Sequence, residues 1–429
     1  MIVINFLDEQ AKKIMLGNDK GNYTVPTVGL YPYQWNWDSA FAALGFATFD
    51  INRAWIELET LFSSQWSNGM VPHIIFHQSI AGYFPGPDVW DTNQVPQTSG
   101  ISQPPVAASF ARLIFDKDKE FGLDRLKELF PKFMASHRWF FEHRNENGMI
   151  VVNHPWESGR DNAPEWDEAM QNIDISNVGE YDRNDLSHVD PHMRPQKQDY
   201  DRFMAIVYFA RACNWNEKTM AKNGPFRVAD SGMTFILLRA NRDLLEIAKI
   251  LGEDGSEIER WIKTIERGVE QLWNPKIGAY DAINIRTGTF ANSISSASFL
   301  CWYGGVENST LLETFERVIK SSTYSVPSHD PNSEKFEPFR YWRGPVWGVI
   351  NTMIGMGLKQ MGHNKRAEKV RSDTAVLIAK SGFAEYFNPI DASPAGGRDF
   401  TWTAAIWLAW ASPNASDFQE ILGVKNGRD

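Results

Sequence analysis

The chain has 429 residues, a net charge of −10, 43% hydrophobic and 22% charged residues, and two cysteines. That composition excludes long disordered stretches, and the acidic balance excludes a broad nucleic-acid footprint, which needs clustered Lys and Arg. Cys213 and Cys301 sit in apolar, helix-like contexts and read as reduced core thiols, so a disulfide framework is not expected and a cytoplasmic setting is.

The opening Met-Ile-Val-Ile-Asn-Phe-Leu has neither a basic stretch nor a small-residue cleavage site, so no signal peptide is expected. No apolar run reaches the roughly 18 residues of a membrane span. Apolar spacing of three and four then predicts helices over 3–15, 37–48, 51–64, 106–115, 125–143, 200–214, 231–251 and 255–272. The same period returns over 291–301, 308–320, 345–361, 364–380 and 401–411. Strand signals are few; Met149-Ile-Val-Val152 after Asn147-Gly148 predicts part of a small hairpin. Long polar-aromatic stretches at about 66–104, 144–199, 274–290, 322–344 and 382–400 separate the helices, and loops of that length are usually functional. The expectation is an all-α fold, a double ring of helices whose loops roof a central funnel. An irregular α-solenoid is the alternative, but no clean repeat period supports it. No linker composition interrupts the chain, so residues 1–429 read as one domain. A short polar helix and a frayed tail are expected after about 412.

Aromatic residues make up 13% of the chain, with 17 Trp. Many cluster, as in Tyr31-Pro-Tyr-Gln-Trp-Asn-Trp37 and Tyr341-Trp342 with Trp347. Core packing explains most; flat rings that stack on the C–H faces of sugars explain a clustered remainder. Other chemistries are poorly supported. His73 and His77 stand at zinc-like helical spacing, but neither a glutamate base nor a third ligand accompanies them. Asp182-Arg-Asn-Asp185 lacks the terminal Glu of a calcium loop. Ala395-Gly-Gly-Arg398 lacks a following Gly-Lys-Ser/Thr, and there is no Gly-x-Ser-x-Gly nucleophile elbow. No metal and no cofactor are expected. Carboxylates in aromatic loops remain: Trp156-Glu-Ser-Gly-Arg-Asp161-Asn162 and Phe383-Ala-Glu385-Tyr-Phe-Asn-Pro389. Glycoside hydrolysis needs one carboxyl kept protonated by burial and another kept ionised. Glu157, Asp167, Glu168 and Asp174 read instead as caps or salt-bridge partners.

These segments, taken with Tyr31-x3-Trp-Asn-Trp-Asp38, Gly69-Met-Val-Pro-His73, Thr98-Ser-Gly-Ile-Ser-Gln-Pro-Pro105, Arg194-x5-Tyr200-Asp-Arg202, Tyr341-Trp-Arg-Gly-Pro-Val-Trp347 and Phe400-Thr-Trp-Thr-Ala404, span the chain in order. The chain resembles glycoside hydrolase family 63, in its short bacterial branch of mannosylglycerate and glucosylglycerate hydrolases. The resemblance implies an (α/α)6 barrel and an inverting mechanism. It implies that Asp161 is the general acid and Glu385 the general base. Tyr31, Trp35, Asp38, Gln103, Gly159 and Trp342 match substrate-holding positions. Arg194 and Tyr200 match an arginine and a tyrosine that grip the glycerate carboxylate, with Tyr341 assisting. Read alone, Arg194 is an ordinary surface-loop arginine. The implied partner is a small sugar carrying a glycerate carboxylate, and the branch often forms homodimers or homotetramers. Asn162-Ala-Pro departs from the Ser-Pro that many relatives carry after the acid. A trehalase-like hydrolase of neutral disaccharides and a non-catalytic sugar-binding barrel stand as the alternatives.

Overall fold

A computed structural model describes residues 2–415 of the chain. The tail helix expected beyond about 412 lies outside the described residues. The helices Asn36–Phe46, Ala107–Lys117, Ser231–Leu251, Gly348–Gln360 and Thr401–Ile406, with the short 3-10 turn Ser298–Cys301, each touch the next, and the last returns to the first. This is a closed inner ring of six elements. Two of its members are enclosed on every face: all eleven residues of Asn36–Phe46 and all six of Thr401–Ile406 are buried.

An outer helix backs each inner element. Ile51–Ser63, Gly122–His143, Ser256–Gln271, Asn364–Ser381 and Ile2–Asn18 pack on their inner partners. Ser309–Lys320 meets the fourth position, the Ser298–Cys301 turn, through Phe315, whose ring lies 5.1 Å from Phe299 and 5.2 Å from Trp302. The outer helices are one-sided: Ser256–Gln271 buries Ile258, Trp261, Ile265 and Val269, a stripe at spacings of three and four. The double ring anticipated from periodicity is therefore present.

Two local expectations met different outcomes. The hairpin forms, with Asn145–Glu146 paired to Met149–Val152 and Asn147 and Gly148 both at positive φ, as a two-residue turn requires. It belongs to a five-stranded sheet of short strands completed by Val228–Ala229, Ile283–Asn284 and Thr289–Phe290, more sheet than the sequence suggests. The helix expected over 291–301 is not formed; only Ser298–Cys301 coils, as a 3-10 turn. Serines explain this. The Ser298 hydroxyl accepts from the Tyr280 N–H, the Ser295 hydroxyl donates to Glu165, and the Ser296 N–H donates to the Ser328 carbonyl. Side-chain and cross-chain hydrogen bonds here displace the helical ladder. A helix at Glu217–Asn223, capped by the Asn216 side chain on the Thr219 N–H, was not foreseen.

Short inner elements close the ring only because small residues let backbones approach. A Cβ on Gly45 would lie 2.6 Å from Ala405 Cβ, and one on Gly357 would collide with the backbone nitrogen of Tyr303. Among the described residues no helix is long and apolar enough to cross a membrane. Gly357→Ala should destabilise the fold by about 2 kcal/mol or more, because backbone on the facing segment cannot rotate away as a side chain would. Chemical denaturation checks this; a variant as stable as the parent would show that the ring has slack at this joint.

Candidate active site

The ring positions a cleft of about 790 Å³. Part of its lining comes from segments that lead into inner helices: Trp35, Trp37 and Asp38 at the start of Asn36–Phe46, Gln103 ahead of Ala107–Lys117, Tyr341 and Trp342 ahead of Gly348–Gln360, and Phe400 and Trp402 at the start of Thr401–Ile406. The cleft thus sits over helix N-termini, whose unpaired N–H groups favour negative charge. Asp161, Glu385, Tyr31, Trp35, Asp38, Gln103, Gly159, Arg194, Tyr200, Tyr341 and Trp342 all line this one cavity. Arg194, which alone reads as a surface residue, is buried in its wall.

The acid-bearing loop is held rigidly. His154 Nδ1 accepts the Trp156 N–H, opening a 3-10 turn that ends at Gly159 with φ of 68°. A side chain at Gly159 would meet Trp37, since its Cβ would lie 2.7 Å from Cζ2. Glycine here lets the chain turn against the indole and deliver Asp161 into the cleft. Behind it Arg160 bridges Glu165 at 2.6 Å and Asp230 at 2.7 Å, all three buried. Glu157 pairs with buried Arg144 at 2.7 Å, Asp167 with Arg343 at 2.9 Å, and Asp174 accepts the Ser176 N–H at 2.9 Å. Glu168 accepts from Asn284 at 2.8 Å. The Asn162 side chain, one residue before the departure from the Ser-Pro pattern at Ala163, accepts the Trp342 N–H at 3.0 Å and so ties the Asp161 loop to the aromatic wall. Trp342 lies flat on Trp347 at 3.8 Å, and Trp347 on Tyr386 at 4.4 Å.

Glu385 is the better solvated of the two carboxylates by fixed donors. Its Oε2 accepts the Gly397 N–H at 2.8 Å, and its Oε1 accepts from the Tyr31 hydroxyl at 3.2 Å and from Arg194 Nη1 at 3.4 Å. Burial still pushes its pKa up, opposed first by Arg194 and then by these hydrogen bonds. Asp161 has only Arg194 at longer range and its own main chain to oppose burial, and its pKa is raised from 3.8 to about 7. Asp38, in the first turn of its helix, is pushed well up by burial and then by Glu385 and Asp161. Two carboxyls of unequal basicity in one cavity are the raw material of paired acid and base catalysis.

The arginine is itself engaged. Arg194 Nε donates to Asp185 at 2.9 Å, Nη2 donates to the Tyr31 hydroxyl at 2.6 Å, and the guanidinium lies 4.1 Å over the Tyr341 ring. Asp185 also lines the cleft, as do Asn184, Tyr83, Phe84, Trp37, His73, Trp156 and Trp402. None of these was assigned a role from sequence. Asp185 carried a signal only as part of an acidic run tested for calcium. Tyr83 and Phe84 lie in a loop whose aromatics were available to be counted. His73 and His77 flank the strand Ile74–Phe76 rather than lying on a helix, and His77 instead meets Gln34 at 2.7 Å. Among the described residues no group of three His, Cys, Asp or Glu side chains could hold a metal ion.

A helical double ring with unequal carboxylates in a tryptophan-walled cleft defines a glycoside hydrolase. The chain belongs to the mannosylglycerate hydrolase MGH1-like glycoside hydrolase family, whose model matches residues 31–403. It is 43% identical to mannosylglycerate hydrolase MGH1 of Selaginella moellendorffii, over 94% of this chain and 85% of that protein. It superposes with a TM-score of 0.91 on the family 63 mannosylglycerate hydrolase of Thermus thermophilus crystallised with Tris and D-glycerate, at 42% identity, covering 94% of this chain and 99% of that one. It is 33% identical to the glucosylglycerate hydrolase of Mycolicibacterium hassiacum, over 94% of this chain and 97% of that one.

The raised Asp161 carboxyl has a cost for stability with a definite sign. Its folded pKa exceeds its unfolded one, so the native state binds the extra proton and loses stability as pH climbs from about 4 to about 7. Asp161→Asn never carries that cost. It should melt above the parent at pH 8, by the equivalent of about 1–3 kcal/mol, with the difference gone at pH 4. Equal melting temperatures at pH 8 would show that Asp161 is not destabilised by its surroundings.

Proposed function

We propose that the chain hydrolyses 2-O-α-glycosyl glycerates, releasing mannose or glucose and glycerate with inversion at the anomeric carbon. The observation that carries this reading is the burial of Arg194 in the wall of the cleft that also holds Asp161 and Glu385. A guanidinium pairs with a carboxylate through two parallel hydrogen bonds, so a cation beside the scissile bond favours an anionic leaving group. Tyr200 and Tyr341 flank the same region and supply hydroxyls. The names of the relatives, and the D-glycerate in the Thermus crystal, support the same substrate class.

The chemistry follows from the unequal carboxyls. Asp161, protonated up to about pH 7, gives its proton to the glycosidic oxygen as the bond to the sugar breaks. Glu385, whose ionised form is favoured by Tyr31, Arg194 and the Gly397 N–H, takes a proton from the water that attacks the opposite face. The leaving glycerate stays ionised throughout and keeps its charge partner. Asp38, Gln103, Trp35 and Trp342 hold the sugar, with Gly159 leaving room for Trp37 beside it. The described chain acts as one catalytic domain. Its free cysteines suit a cytoplasmic setting, and a homodimer or homotetramer remains the expected assembly.

The test is product release from 2-O-α-mannosyl-D-glycerate, 2-O-α-glucosyl-D-glycerate and trehalose, with the first-formed anomer followed by NMR. Release of the β-anomer of one sugar from a glycerate glycoside, with trehalose spared, is expected. Trehalose cleavage alone would overturn the reading in favour of a neutral disaccharide, and sugar binding with no release would mark a non-catalytic barrel. Asp161→Asn and Glu385→Gln should each lower kcat by about 10³-fold. Arg194→Ala should chiefly raise KM for the anionic substrate; an equal loss on neutral glycosides would remove the carboxylate clamp.

A further inference from the structure

Arg194 faces a choice of anions. Its Nε is 2.9 Å from Asp185, while its Nη1 reaches Glu385 only at 3.4 Å, through a single contact. A guanidinium free to move would close a two-pronged pair with the nearest buried carboxylate. Here Asp185 is kept from moving by Arg183, which donates from Nε at 3.0 Å and from Nη2 at 2.6 Å. Arg183 is in turn fixed by the Pro195 carbonyl at 2.7 Å and lies 4.2 Å over the Tyr200 ring. The turn Asn184–Ser187 that carries Asp185 is tied down by Asn184, which donates to the Leu30 carbonyl at 3.0 Å.

Resting on the proposed hydrolysis, we infer that Asp185, clamped by Arg183, is a positioning residue that holds Arg194 by its Nε edge. Arg194 is thereby kept out of a full ion pair with Glu385, and its Nη edge, held only by the Tyr31 hydroxyl and one long contact to Glu385, can be exchanged to the substrate's carboxylate. The role acts through charge as well as placement. The groups facing Arg194 are Glu385 and Tyr386 from the 382–400 loop, Tyr31, Tyr341, and Asp161. Arg183 and Tyr200 come from the 174–200 segment, and Tyr83 from the 66–104 loop. Asp185 and Arg194 act on Asp161 in opposite senses, the first raising its pKa and the second lowering it.

Asp185→Asn keeps the shape and removes the charge. Arg194 then has no nearer anion than Glu385 and closes on it, which makes that base weaker. Asp161 loses an anionic neighbour and gives up its proton at lower pH. Both limbs of the kcat/KM profile should therefore move to lower pH, by about one unit for a charge change at this range, and kcat should fall. Asp185→Glu should restore most of both. Arg183→Gln, which strengthens the uncompensated charge of Asp185, should move the alkaline limb upward instead. Lower turnover with both limbs unmoved would assign Asp185 a merely structural role and overturn the inference, as would a parental profile in full. Should Asp185→Asn fail to fold, the direction of the Arg183→Gln limb decides alone. The profiles are run on whichever glycoside the parent cleaves. A parent inert toward glycerate glycosides but active on a neutral one therefore fails the substrate reading without touching this test.

Discussion

Four carboxyls, those of Asp38, Asp161, Asp185 and Glu385, line one cleft where the guanidinium of Arg194 reaches two of them directly. Burying charge without matching it is among the more expensive things a fold can do. The response here is unequal by design. Glu385 receives a main-chain N–H, a phenol and an arginine; Asp161 receives almost nothing and answers by holding its proton. The difference between these two carboxyls is thus made by the distribution of donors, while both side chains are in themselves ordinary.

Holding that distribution in place is the task of the surrounding loops, which are long but not loose. They grip each other through contacts that join distant parts of the chain. Asn162 takes the Trp342 N–H, Tyr386 donates to the Met193 carbonyl, and Arg340 donates to the Arg194 carbonyl. The stack of Trp342, Trp347 and Tyr386 forms one wall that resists tilting because each ring is covered by the next. Beneath them, the closed inner ring supplies a base in which the starts of helices Asn36–Phe46 and Thr401–Ile406 are wholly buried. A site on loops gains the precision of a site on helices when the loops are cross-linked in this way.

Much of this was legible in the residues, and the parts that were not share a cause. Helices such as Ser231–Leu251 and Asn364–Ser381 announce themselves through apolar period, a local property of the sequence. The 291–301 segment carries apolar residues at helical spacing yet spends its serines on partners more than ten residues away, which no local pattern can register. The eleven cavity residues were reached through motif resemblance, since the distance in sequence from Tyr31 to Glu385 leaves no local trace of their hydrogen bond. Asp185 escaped because its meaning is wholly relational. In the run Asp182-Arg-Asn-Asp185 it reads like any solvated acid, and only Arg194 nine residues on, and Glu385 across the cleft, show what it is placed between.

That relation also resolves how an acidic chain can receive an anion. A net charge of −10 repels an anionic substrate at long range, but screening limits such repulsion to about 10 Å at moderate salt. Inside the cleft the local tally differs. Arg183 and Arg194 stand against Asp185, and beyond them Arg194, Tyr31 and the Gly397 N–H favour the charge on Glu385, while burial pushes the Asp161 pKa up to about 7. In the proposed hydrolysis the proton on Asp161 does two things at once: it is the reagent for bond cleavage, and its presence keeps one negative charge out of the aglycone's path. Raising the pH removes both together. Under that mechanism proton transfer and anion acceptance are both consequences of one carboxyl that lacks donors.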